Sequence, residues 1–221
     1  MRLYEEYMPA TLDEVVGQPP VRLLQDFARH PYPCCFLLEG PPGIGKTTSA
    51  LALGHDLGSD DEMSGLYIVP CSEFSIEKAR QMFLGDADHS PVLRLSTFQG
   101  RGWKVLVLEE LEWLSPQCQN FLKVHLDANR MPSKLVVVAT SNGAGKLQKA
   151  LLQRFRIYTF QAGPSFAQAA WERMGMIWRQ EMGDVPMPEG WQGWGWQDHE
   201  FSLRVALDQL QDHLVAQEIA T

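Results

Sequence analysis

The stretch Gly40-Pro41-Pro42-Gly43-Ile44-Gly45-Lys46-Thr47-Thr48 constrains this chain more than any other. A short apolar run, Cys35 to Glu39, leads into it, and a helical pattern from Lys46 to about Leu57 leaves it. Gly40-x-x-x-x-Gly45-Lys46-Thr47 is the Walker A pattern, standing where it has to stand, between a buried strand and the first turn of a helix. The glycines let the backbone curl until its N–H groups converge, and the helix N-terminus adds partial positive charge at the same place. A loop of this kind holds the phosphates of ATP. Lys46 reaches the β- and γ-phosphates, and the Thr47 hydroxyl is a ligand for Mg2+.

A loop that joins a buried strand to a helix implies more strands beside the first. Gly65–Pro70, Lys104–Glu109, Leu135–Thr140 and Arg156–Phe160 read as strands. Lys46–Leu57, Ser75–Phe83, Ser115–Asp127 and Lys146–Gln153 read as the helices between them, and residues 10–30 as a helical stretch opened by Thr11. Continuously apolar strands alternating with helices mean a parallel sheet covered on both faces. Residues 84–102 form a long polar connection. After Ala162-Gly163-Pro164 the pattern changes to two helices, 165–182 and 199–217, with no strand between. The expected fold class is therefore α/β, a P-loop core with a five-stranded parallel sheet over residues 1–163 and a small all-helical lid over 164–221.

Val105-Leu106-Val107-Leu108-Glu109-Glu110 is an apolar strand ending in two acids, 63 residues after Lys46. This is Walker B logic: Glu109 holds the metal and Glu110 orients and polarises the attacking water. The usual first acid is Asp, and Glu109 carries the carboxylate one methylene further out.

Charge and cysteine content bound the setting. The net charge of −8 is uneven: from Pro164 onward 3 basic residues face 9 acidic ones, −6, against −2 for residues 1–163. Any surface for nucleic acid must be local and lie in the first part. Cys34, Cys35, Cys71 and Cys118 make no C-x-x-C pair and read as small buried residues in a reducing compartment. No apolar run approaches the roughly 18–20 residues of a membrane span, and the N-terminus has no apolar signal region, so the chain reads as cytoplasmic. Trp171 and Trp178, seven apart, fall on one helix face and read as lid core. Core filling is also the default for the tryptophans of 190–198, with a docking surface as the alternative.

Beyond these motifs the chain resembles the AAA+ clamp-loader small subunits, from about Tyr4 to Leu214. The resemblance implies that EEYMPATLDEVVGQPPVRLL closes over adenine, with Val15, Val16 and Gly17 lining the base, and with Met8 where the family has Arg. Ser141-Asn142 falls at the sensor 1 position, where Asn142 addresses the γ-phosphate or the attacking water. Leu152-Gln153-Arg154-Phe155 resembles the family's Ser-Arg-Cys motif, making Arg154 an arginine finger for a neighbouring subunit. Phe201 to Leu207 resembles the sensor 2 helix, with Arg204 on the γ-phosphate of its own chain. Lys78, Arg80 and Lys123 fall on the two helices that follow DNA in that family. The sequence stops at Thr221, about where that family's C-terminal collar domain would start, so the resemblance implies either a fragment or a chain that assembles through its ATPase and lid faces alone. The implied role is a clamp-loader subunit, a homo- or hetero-oligomer with ATP at its interfaces, acting on a sliding clamp or helicase and on DNA. A helicase loader or DNA-remodelling ATPase, and a nucleotide-gated adaptor with little hydrolysis, are the competing readings.

Overall fold

The computed structural model describes residues 2–88, 90–94, 100–197 and 200–220. Part of the polar connection, 95–99, therefore lies outside the described residues, as does Asp198 of the tryptophan-rich loop. Five strands, β1 (Cys34–Glu39), β2 (Leu66–Pro70), β3 (Lys104–Glu109), β4 (Leu135–Ser141) and β5 (Arg156–Thr159), form one sheet in the order β2-β3-β4-β1-β5. Every pairing is parallel, as the apolar runs require. The order matters for the site. It seats β4 between β1 and β3, so the strand ends carrying the Gly-rich loop, the Asn142 turn and the two acids lie side by side.

Successive residues of the strands feed two separate cores. Phe36, Leu38, Val105, Val107, Val136 and Val138 face one side, against α2 (Pro19–Arg29) and α3 (Lys46–Asp56). Cys35, Leu37, Leu106, Leu108, Val137 and Ala139 face the other, against α4 (Ile76–Leu84), α5 (Pro116–His125) and α6 (Lys149–Leu152). All four cysteines are buried free thiols, as expected of small core residues. Ser75 and Ser115 cap α4 and α5 by accepting from the N–H groups of Lys78 and Cys118, each at 3.2 Å.

Most boundaries fall within a few residues of expectation, and two stretches differ in kind. Thr11 opens only a 3-10 turn, Leu12–Glu14, and α2 starts at Pro19, where two prolines preset the helical φ. Its buried stripe is Val21, Leu24 and Phe27, while Leu23 is exposed. The expected helix over Lys146–Gln153 is a 3-10 turn, Ala144–Lys146, followed by the short α6.

The lid consists of α7 (Pro164–Met182) and α8 (Leu203–Ala220), whose Ala167, Met174, Ala206 and Leu210 are fully buried. It is helical except for a two-residue antiparallel hairpin, β6 (Trp196–Gln197) with β7 (Glu200–Phe201), so the expectation of no strand there needs correcting. The tryptophans mainly fill the lid. Trp178 is buried and donates to Val185 O at 2.7 Å, and Trp194 packs on His213. Trp196 lies edge-on to Phe201 with its outer part exposed. The first helix, α1 (Leu3–Glu6), packs on α8: Leu3 N–H donates to Gln211 Oε1 at 3.1 Å and the Tyr7 hydroxyl donates to Glu181. The start of the chain thus rests on the lid helices, a contact across the expected 1–163 boundary. No helix among the described residues is long and apolar enough to cross a membrane.

Candidate nucleotide site

Two cavities meet at the Gly-rich loop, both lined by Gly43, Gly45, Thr47, Thr48 and Arg204. The larger, about 220 Å³, is walled by apolar side chains of the N-terminal segment, the loop and the lid. Val15, Val16 and Ile44 line it as the sequence suggests. Gly17 is placed differently: it is not among the lining residues. Its φ is +69°, and a Cβ there would stand 2.9 Å from the Phe166 ring. It is a close-packing point against α7 instead of a wall of this cavity. Met8 lines the cavity, and so does Arg173 of α7, whose guanidinium donates to Tyr7 O at 3.4 Å.

The smaller cavity, about 110 Å³, is polar and is lined by Pro42, Lys46, Glu110, Thr140, Ser141 and Asn142 besides the shared residues. Lys46 is buried, with its ammonium donating to Gly40 O at 2.7 Å, Pro41 O at 2.5 Å and Asn142 Oδ1 at 3.0 Å. Burial pulls its pKa down to about 8, opposed chiefly by the negative charge of Glu112. Glu109 shares a hydrogen bond with Thr47. Its pKa is raised by burial and by the neighbouring Glu110. A hydroxyl beside a carboxylate is the hard-oxygen pair that magnesium takes together with phosphate oxygens. Among the described residues there is no cluster of three or more His, Cys, Asp or Glu that could hold a metal ion.

Glu110 is the one described non-glycine residue at positive φ, +56°, a left-handed turn immediately after β3. Its N–H donates to the Thr140 hydroxyl at 3.2 Å. This reversal brings Glu110 to the polar cavity, which Glu109 does not line, and starts the 3-10 turn Leu111–Trp113. Strained backbone of this kind concentrates at functional positions.

Arg204, at the start of α8, borders both cavities. The α8 end also touches the loop directly, as Leu203 N–H donates to Gly43 O at 3.0 Å. Arg154 is not brought to the cavity. It lies in a separate groove with Asp127, Asn129 and Arg130, pairing with Asp127 at 3.2 Å and donating to Lys123 O at 3.2 Å. Lys78 and Arg80 on α4 and Lys123 on α5 lie on adjacent helices, with Arg80 exposed. The sequence reading missed the lid's share of the larger cavity, namely Arg173, Phe166, Ile177, Leu203 and Leu207. Leu203 and Leu207, four apart on the helix of Arg204, carried a readable signal; Arg173 did not.

A family model described as ATPase family associated with various cellular activities (AAA) matches residues 36–162. The chain belongs to this AAA family. Within it, the chain is similar to the replication factor C small subunit of Thermofilum pendens, 28% identical over 209 residues, covering 94% of this chain and 61% of that one. Replication factor C subunit 3 of Saccharomyces cerevisiae is 30% identical over 168 residues, 74% of this chain and 46% of its own length. The chain thus spans roughly half to three fifths of these AAA relatives. The Thermotoga maritima RuvB Holliday junction branch migration motor shares the fold at a TM-score of 0.67 and 21% identity, over 96% of this chain and 67% of that one.

Proposed function

We propose that this AAA chain binds and hydrolyses ATP with magnesium and spends the cycle on loading a DNA-replication partner, as a clamp-loader-type subunit. The observation that carries the reading is the meeting of the two cavities at the Gly-rich loop: a mainly apolar chamber and a polar one share Gly43, Gly45, Thr47, Thr48 and Arg204, an arrangement that suits a base on one side and phosphates on the other. Val15, Val16 and Ile44 hold the base. Lys46, the loop N–H groups and Arg204 hold the phosphates, and Thr47 and Glu109 hold the metal. Magnesium, when bound, neutralises charge on the β- and γ-phosphate oxygens. Glu110 accepts a proton from the attacking water and Asn142 orients that water against the γ-phosphate.

Arg154 lies off this chain's own cavity, which supports its service to a neighbour's site, with ATP at subunit interfaces of a homo- or hetero-oligomer. The loading role is supported by the likeness to replication factor C small subunits. Lys78, Arg80 and Lys123 on neighbouring helices give such an assembly its DNA-facing charges, a few per subunit.

Steady-state ATP turnover tests the reading, measured alone, with primer–template DNA, and with a sliding clamp or a replicative helicase added. Stimulation by DNA and clamp together is the expected result. Stimulation by helicase alone replaces the loader reading with a helicase-loader one. Tight ATP binding without turnover in any mixture leaves the adaptor reading and overturns the enzyme.

A further inference from the structure

Two acids, Glu109 and Glu110, stand at the end of β3, and a third, Glu112, follows in the turn behind them. The left-handed turn at Glu110 folds the Leu111–Trp113 turn back toward β4. Glu112 Oε1 then accepts the backbone N–H of Asn142 at 3.0 Å. Its other oxygen, Oε2, is shut off from solvent and has no hydrogen-bond partner among the described residues. A buried carboxylate oxygen held so is costly to keep and is usually retained for a task. The next residue grips the same turn independently: the Lys146 ammonium lies 5.4 Å from the centre of the Trp113 ring. The turn from Asn142 to Lys146 is therefore held at both ends by the 3-10 turn after the acid pair. In the other direction the Asn142 side chain is bonded to Lys46.

We propose that Glu112 is a positioning residue for ATP hydrolysis, acting through the Asn142 backbone to aim its amide at the γ-phosphate side of the cavity. This rests on the ATPase reading above. Glu112 touches no reacting atom. It fixes the residue that does, and its charge also favours the ammonium of Lys46.

Glu112→Ala removes both the acceptor and the charge, whereas Glu112→Gln keeps an acceptor oxygen. Both variants of the full chain are compared with the parent by amide hydrogen exchange over residues 140–147, by affinity for a fluorescent ATP analogue, and by turnover. Exchange at Asn142 rises about tenfold in Glu112→Ala, with the remaining strands unchanged. Turnover falls about tenfold at an analogue affinity within about threefold of the parent, since an interaction felt in the reaction and not in binding is lost. Glu112→Gln returns exchange and turnover to within about threefold of the parent, because it restores the hydrogen bond. Unchanged exchange at Asn142 in Glu112→Ala overturns the proposal, as does fast exchange with parental turnover. Faster exchange across the whole sheet also overturns it, by reducing Glu112 to a structural residue. Should the parent turn over no ATP with any partner, the ATPase reading fails, and the exchange result alone decides whether Glu112 holds the turn.

Discussion

Burial against the loop carbonyls leaves Lys46 with a pKa of about 8, below the ordinary 10.5, so its charge changes within an accessible pH range. A phosphate needs the ammonium. Nucleotide affinity is therefore expected to fall as pH rises through about 8, with proton uptake on binding above it, measured by titration calorimetry in buffers of different ionisation heat. Stability of the nucleotide-free chain runs the other way. Between about 8 and 10.5 the unfolded state binds more protons at this site, so unfolding grows harder as pH rises across that window. Glu110 carries the second prediction at this scale. Glu110→Gln is expected to lower turnover by about 10²–10⁴-fold while leaving analogue affinity near the parent's. Undiminished turnover removes Glu110 from its role. The residues of the Gly-rich loop and the acid pair were legible because their chemistry is local: a fixed spacing, after an apolar strand. Glu112 and Arg173 were not, since each gains its meaning from a chain segment far away, Asn142 in one case and Tyr7 in the other.

The elements were read well where capping and apolar runs agree, as at β3, whose expected limits match the structure, and at α5, opened by Ser115-Pro116. They were misread where two start signals competed: Thr11 lost to Pro19-Pro20, which fix φ without any side-chain cap. The contact between α8 and the Gly-rich loop is the element-scale feature with the sharpest consequence. Gly43 has φ +75°, and an ideal Cβ there would lie 2.0 Å from Ser202 Oγ. Gly43→Ala combines left-handed strain of ~1–2 kcal/mol with displacement of the α8 start. A loss of nucleotide affinity of about tenfold or more is expected from those two effects together. Adding Ser202→Gly relieves the clash alone, so it should recover part of the loss and leave the backbone share, by calorimetry.

At the scale of the whole molecule, the cavity takes residues from the core and the lid, while Arg154 faces away from it, held by Asp127 and the α5 carbonyl of Lys123. If Arg154 completes a neighbour's site, Arg154→Ala and Glu110→Gln chains should each be nearly inactive alone. Their mixtures should recover turnover, since some interfaces then pair an intact acid with an intact arginine. A finger in trans is worth about 10³–10⁵ in rate, so even partial recovery is measurable. Mixtures no more active than their components place Arg154 outside the reaction.

The hydrogen bond from Leu203 to Gly43 also has a bearing on how the chain comes into being. A ribosome delivers the Gly-rich loop early and the residue that secures its tip some 160 positions later, at ~5–20 residues per second. The sheet can assemble in the meantime, but the loop stays unsecured until α8 emerges. The nascent core is therefore expected to bind ATP weakly until α8 has emerged and docked on the loop.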